Sequence, residues 1–343
     1  MTVRRGLRRL FVRMLPVKST RATSSPGRIS AEREAISPLD PQVLARLKGL
    51  KLQVARVVEG VLAGLHRSSR HGESVDFAEH KEYAPGDDPR RMDWRLLARS
   101  DRYYVKKYEA EVNLRAVLAL DLSASMGYGS GSFTKAAYAA LLLASLATIL
   151  LRQGDAVGLS LQFGSHPVYI PPRGRPDHLN NIVAAIEAAR PMGPTHLREV
   201  TRRYAESIGR RGMLVLFSDL FDPDPEMLAS LKMLAARGHE VLVFHVLDGD
   251  EIDFPFEDPT VFESLEDERS LLVFPRQLRD AYMQEMRAFL DTTRRALSEG
   301  GLTYELVRTD EPPHQPLIRQ LSNRRRGVFC RKASPAGRMS SRK

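Results

Sequence analysis

Hydrophobic and polar positions change rhythm near Arg115. From there to about residue 323, short apolar runs alternate with stretches whose apolar residues recur every three or four positions. Strands are predicted over 116–120, 156–163, 213–217, 240–246 and 302–307, with a short one at 167–170. Helices are predicted between them over 135–151, 177–189, 197–208, 225–236 and 277–297, with a last one over 314–323. Uninterrupted runs such as Met213-Leu214-Val215-Leu216-Phe217 suit strands covered on both faces. Strand–helix alternation at this spacing implies a parallel sheet between helical layers. The expected fold is α/β, a doubly wound, mostly parallel sheet of Rossmann-type topology. Residues 260–265 and 270–274 break the rhythm and predict an inserted β-ribbon across the acidic turn Glu266-Asp267-Glu268.

The chain before residue 113 is patterned differently. Residues 1–35 are basic and carry a Ser-, Thr-, Pro- and Gly-rich run from Ser19 to Ser30, which predicts a disordered leader. Residues 36–112 read as a helical and then irregular N-terminal segment. Asp40 can cap a helix, Pro41 suits its first position, and Leu44, Leu47 and Leu50 follow at helical spacing. Residues 73–105 then mix turns and charges around the only tryptophan, Trp94. The α/β domain is placed at 113–323 and a basic tail at 324–343.

Charge changes the picture only once it is located. The net charge is +10, but residues 1–28 and 324–343 each hold eight Lys or Arg and no acid. Without those sixteen charges the body of the chain is near −6, so any attraction to phosphate or anionic lipid belongs to the tails. Cys330 is the single cysteine, which rules out an internal disulfide or a Cys-based metal cluster and fits a cytoplasmic protein. The apolar run 136–151 is shorter than the roughly 20 residues a spanning helix needs. It is expected to be the buried first helix of the α/β domain.

The candidate chemistry sits where the first strand ends. Asp121-Leu122-Ser123-Ala124-Ser125 puts one carboxylate and two hydroxyls close together on a turn, all hard oxygen donors suited to Mg²⁺ or Mn²⁺. Carboxyl ends of strands are also where open α/β sheets bind ligands. Gly193-Pro194-Thr195 brings a further hydroxyl between two helices, and Ser218-Asp219 follows the strand at 213–217. With these three loops, residues 115–323 resemble a von Willebrand factor A domain carrying a metal-ion-dependent adhesion site. The resemblance implies that Asp121, Ser123 and Ser125 lie nearest the ion. Thr195 and Asp219 would complete the shell, directly or through water.

A second motif stands upstream. Pro85-Gly86-Asp87-Asp88-Pro89 forces a tight acid-bearing turn, and Arg90, Arg91 and Asp93 can pair with those acids or with backbone carbonyls. Beside Trp94, this set reads as a buried network that fixes one segment against another; the other reading makes Asp87, Asp88, Arg90, Arg91, Asp93 and Trp94 a partner-facing or catalytic surface. Joined to the downstream metal turn, residues 72–323 resemble the domain-of-unknown-function family 58. That resemblance implies an adaptor working with a MoxR-type AAA ATPase.

Other function classes fit less well. A haloacid dehalogenase phosphatase needs a second Asp two residues after the first, and Ser123 stands there. Gly127-Tyr128-Gly129-Ser130-Gly131-Ser132 lacks the Gly-Lys-Ser/Thr ending of a phosphate loop, and its spacing is wrong for a dinucleotide loop. The expectation is a non-catalytic, divalent-metal-dependent protein-binding module. Its rivals are a metal-dependent hydrolase using His196 as base, and nucleic-acid binding through the basic tails.

Overall fold

The computed structural model describes residues 14–17, 41–69, 80–82, 104–106, 114–163, 167–194, 197–208, 211–221, 225–264 and 270–330. Ahead of the α/β domain come β1 (Met14–Val17), α1 (Pro41–Ser69), β2 (His80–Glu82) and β3 (Tyr104–Lys106). The domain opens with β4 (Arg115–Asp121), a 3₁₀ turn (Ala124–Gly127), α2 (Lys135–Arg152), β5 (Ala156–Gln162) and β6 (Val168–Arg173). Then follow α3 (His178–Ala188), α4 (Leu197–Ser207), β7 (Met213–Ser218), α5 (Pro225–Ala236) and β8 (Glu240–Leu247). The chain continues through α6 (Gly249–Asp253), β9 (Thr260–Ser264), β10 (Ser270–Val273), α7 (Pro275–Ser298), β11 (Thr303–Arg308) and α8 (His314–Cys330).

Two compact units result: residues 1–63 with 114–343, and residues 64–113. In the smaller unit β2 and β3 pair antiparallel, with His80 opposite Lys106. The larger unit is built on a six-stranded sheet ordered β11-β8-β7-β4-β5-β6. Every neighbouring pair in it is parallel except β5 with β6. Numbered from β4, the order is 3-2-1-4-5-6, the doubly wound arrangement expected of a von Willebrand factor A-like domain. The order reverses between β4 and β7, whose register sets Leu120 beside Phe217. Asp121 and Ser218, the last residues of these strands, therefore end together at the switch point.

Packing follows the pattern of the sequence. On one face Val117, Ala119, Leu214, Leu216 and Val243 pack with Val200 and Tyr204 of α4 and Met227 and Leu231 of α5. On the other lies α2, apolar around nearly its whole circumference and touching β4, β5, β7 and β8. Among the described residues α2 is the one helix long and apolar enough to cross a membrane, and 78% of it is buried here against the protein itself. Phe217 and Phe244 stack across β7 and β8 with ring centroids 4.8 Å apart. With every residue of β7 buried, its apolar run 213–217 contributes on the order of 10 kcal/mol relative to exposure.

Several elements differ from the sequence expectation. β6 runs on through Pro171 and Pro172 to Arg173, because an edge strand loses nothing when a residue cannot donate to a neighbour. Gly158 of β5 faces that edge so closely that a Cβ there would lie 2.8 Å from the Ile170 carbonyl oxygen. Within the stretch expected to be a disordered leader, Met14–Val17 pairs antiparallel with β9 and turns the expected ribbon into the sheet β1-β9-β10. Helix α8 continues from the expected 314–323 to Cys330, inside the basic tail. Helix α6 was not expected. It starts at a capping box in which Asp248 accepts from the Asp250 N–H, and Glu251 reaches back to the Asp248 N–H at 2.8 Å.

Candidate metal centre

β4 carries Asp121 to the sheet's carboxyl edge, where its side chain is fully buried. Its Oδ1 accepts the Ser123 N–H at 3.0 Å and its Oδ2 accepts the Ser218 hydroxyl at 2.7 Å. The chain is extended at Ser123 and then winds into the 3₁₀ turn, with the Met126 N–H donating to the Ser123 carbonyl at 3.0 Å. That curl brings Ser125 back beside Ser123, their hydroxyl oxygens 3.1 Å apart.

The second loop docks onto the first through its backbone. The Ala124 N–H donates to the Gly193 carbonyl at 2.9 Å, and the Met192 N–H donates to the Leu122 carbonyl at 2.9 Å. Gly193 has φ 67°, a left-handed conformation that glycine adopts without strain. Thr195 and His196, two and three residues further on, lie outside the described residues.

The third loop leaves β7. Ser218 Oγ also accepts the Leu220 N–H at 3.1 Å, and Leu220 is held at φ 50°, a strained value for a branched side chain. Asp219 is 2% exposed. Its Oδ2 accepts from Lys135 Nζ at 2.9 Å, and its backbone carbonyl lies 2.7 Å from His245 Nε2. A carbonyl can only accept, so Nε2 carries the proton and Nδ1 accepts from the Tyr304 hydroxyl at 2.9 Å. Burial favours this neutral imidazole and pulls its pKa down to about 4.

Lys135 opens α2 and is fully buried. It donates to Asp219 and, at 2.7 Å, to Glu251 Oε1, and its ammonium lies 4.5 Å from the centre of the Phe221 ring. Burial opposes the charge, but Asp219 and Glu251 outweigh it and hold the pKa above the ordinary lysine value. Glu251 is itself pushed up to about 7 by burial. Burial, reinforced by the neighbouring Asp219 charge, likewise pushes Asp121 up to about 6.

Two observations bear on whether these residues suit a divalent ion. Adjacent ligands of an octahedral Mg²⁺ with bonds of about 2.1 Å lie about 3.0 Å apart. The Ser123–Ser125 separation of 3.1 Å matches that edge. In addition, Asp121 is a carboxylate whose charge is costly in this setting, the condition that a bound cation relieves. Among the described residues no three His, Cys, Asp or Glu side chains gather as a ligand group. The candidate donors Asp121, Ser123, Ser125 and Asp219 are all oxygen donors, which favours a hard ion over Zn²⁺. The residues present fit Mg²⁺ or Mn²⁺.

The glycine-rich loop after the 3₁₀ turn is a structural tie. Ser130 donates to Asp248 from its N–H (3.2 Å) and its hydroxyl (2.5 Å), and Tyr128 donates to Asp250 at 3.3 Å. Thr309 joins Asp248 from the end of β11 at 2.6 Å.

Of the residues proposed from sequence, Asp121, Ser123, Ser125 and Asp219 lie at and just beyond the carboxyl ends of β4 and β7. Asp87, Asp88, Arg90, Arg91, Asp93 and Trp94 lie outside the described residues. Ser218, Lys135, Glu251 and His245 were missed. Two of them left a trace: Lys135 is the only charge in the run 135–151, and Asp248-x-x-Glu251 has capping-box spacing.

Comparison with known proteins agrees with the family resemblance. Uncharacterised proteins of Mycobacterium bovis and Mycobacterium tuberculosis are each 30% identical over 297 residues, covering 85% of this chain and 92% of their own length. Among solved structures, the conserved hypothetical protein BatB from Bacteroides thetaiotaomicron is similar at a TM-score of 0.42 and 16% identity, over 62% of this chain and 99% of its own. The VWA domain of SpRpn10 is similar at a TM-score of 0.35 and 14% identity, over 60% of this chain and 95% of its own. The sequence model of the family described as protein of unknown function DUF58 matches residues 79–290, and the chain belongs to that family.

Proposed function

We propose that the protein is a non-catalytic, divalent-metal-dependent protein-binding module. The observation that carries this reading is the convergence of Asp121, Ser123 and Ser125 at the switch point, with both carboxylate oxygens of Asp121 already oriented. Asp121, Ser123 and Ser125 would hold Mg²⁺ or Mn²⁺, and Asp219 and Thr195 would complete its shell. When bound, the ion offers an open coordination position that a partner's acidic side chain fills. The chain's own part is to fix that position. Ser218 and the Ser123 N–H orient Asp121, while the 3₁₀ turn sets the spacing of the two serines.

The family resemblance points to a MoxR-type AAA ATPase as the partner, with the protein in the cytoplasm as an adaptor. The hydrolase rival rests on His196, which lies outside the described residues, and the nucleic-acid rival on the basic tails. The test is capture of the purified ATPase with Mg²⁺ and with chelator, on wild type and Asp121→Ala. Capture should require both the ion and Asp121. Capture indifferent to chelator and mutation would overturn the reading.

A further inference from the structure

Lys135 is the only fully buried Lys or Arg among the described residues, and it stands beside the proposed metal donors rather than in the fold's periphery. Its ammonium bridges Asp219 Oδ2 at 2.9 Å and Glu251 Oε1 at 2.7 Å, two carboxylates that the chain delivers from the end of β7 and from α6. Lys135 is also the first residue of α2, so the helix N-terminus adds partial positive charge at the same place. A divalent ion drawn to Asp219 therefore meets a carboxylate already engaged by a cation that cannot swing away into solvent.

We propose that Lys135 is a built-in counter-cation of the metal site, holding Asp219 back from direct coordination and keeping affinity for the divalent ion low until a partner's carboxylate arrives. This rests on the metal-binding reading above. The charges support it. With all three carboxylates ionised, Asp121, Asp219 and Glu251 against Lys135 sum to −2, and one divalent ion offsets that charge. Without Lys135 Asp219 would meet the ion with no competing cation beside it and would draw it more strongly. Glu251 tunes the device, since it shares the ammonium and so sets how much of that charge Asp219 feels. Through Glu251, the insertion after β8 is tied to the metal loops: the Glu251 carbonyl accepts the Tyr282 hydroxyl of α7 at 2.6 Å.

The test is calorimetric titration of Mn²⁺ into the full-length wild type, Lys135→Met and Lys135→Arg, with circular dichroism to establish folding. Lys135→Met, similar in length and neutral, should bind Mn²⁺ at least tenfold more tightly, and Lys135→Arg should stay within about threefold of wild type. A structural role alone predicts the opposite sign, because a damaged site binds more weakly. Unchanged or weaker binding by folded Lys135→Met, with wild type binding, overturns this inference and leaves the metal reading standing. Binding by Lys135→Met but not by wild type supports it, and binding by neither overturns both. Where Lys135→Met does not fold, Glu251→Gln reads the same balance in the other direction. It concentrates the ammonium on Asp219 and should weaken Mn²⁺ severalfold, and unchanged affinity there also overturns the inference.

Discussion

Replacing Asp121 with Asn should make the metal-free protein more stable while abolishing the site. Asp121 is fully buried, and its pKa in the folded state is about 6 against about 3.9 in an unfolded chain. For a carboxylate whose folded pKa is raised, the sign is fixed. Its contribution is intact below about pH 4 and is lost as pH rises through about 6. The gap of about two units costs about 3 kcal/mol at pH 7.5. Asn removes that cost and keeps the shape. Its oxygen can still accept the Ser123 N–H, and its amide can donate to Ser218 Oγ in place of the bond now running the other way. Allowing about 1 kcal/mol for weaker, uncharged hydrogen bonds leaves a gain of about 1–2 kcal/mol, or roughly 3–8 °C in Tm for a domain of this size. The assay is thermal melting in chelator at pH 7.5 and 4.5; at pH 4.5 the titration cost falls to about 1 kcal/mol, so the advantage should vanish. At 100 times its dissociation constant Mg²⁺ should add about 2.7 kcal/mol to the wild type and nothing to Asp121→Asn, reversing their order. An Asn variant no more stable than wild type in chelator at pH 7.5, or equally stabilised at both pH values, would refute the argument.

Three further outcomes are measurable. Protons compete with the ion for Asp121, so apparent Mn²⁺ affinity should be flat above about pH 7 and fall about tenfold per unit below about pH 6, read by calorimetry at pH 7.5, 6.0 and 5.0. Gly129→Ala would set a Cβ 2.2 Å from the Phe133 carbonyl oxygen and should cost about 1–3 kcal/mol in a urea melt. Gly131→Ala, with nothing within 4 Å of its Cβ, should change stability by less than about 0.5 kcal/mol.

What could be read from sequence was what local periodicity carries. Met213–Ser218 announces itself by an unbroken apolar run, and Pro225–Ala236 by a proline at its first position followed by spaced apolar residues. Asp121, Ser123 and Ser125 could be singled out as candidate donors because one turn holds all three. Asp219 was singled out by its place just past a strand and by the family resemblance, and the structure shows why it lies near Asp121: β4 and β7 end side by side. Met14–Val17 gave no such signal. Four residues with a proline among them form a strand only because β9 offers an edge more than 240 positions later. Helix α6 is too short to show a period, and only its capping-box spacing marks it.

The charge balance of the site lay beyond any local pattern, and this is a matter of physics rather than of missing motifs. Lys135 stands at the head of a helix that is otherwise apolar, where a lone cation normally sits in solvent. Its burial is decided by Asp219, 84 positions away, and Glu251, 116 positions away, arriving from two different loops. Glu251 in turn is aimed by a cap it makes with Asp248, and Asp248 is also tied to Ser130 of the glycine-rich loop. A spacing rule finds the oxygens that can touch an ion, because those cluster in sequence. Groups that would set how strongly an ion is held act through Coulomb forces across several ångströms of low-dielectric interior, so they need be near the site only in space. In this chain candidate donors could be proposed from the loop sequences, while the contact of Lys135 with Asp219 and Glu251 became visible only when α2, β7 and α6 were brought together.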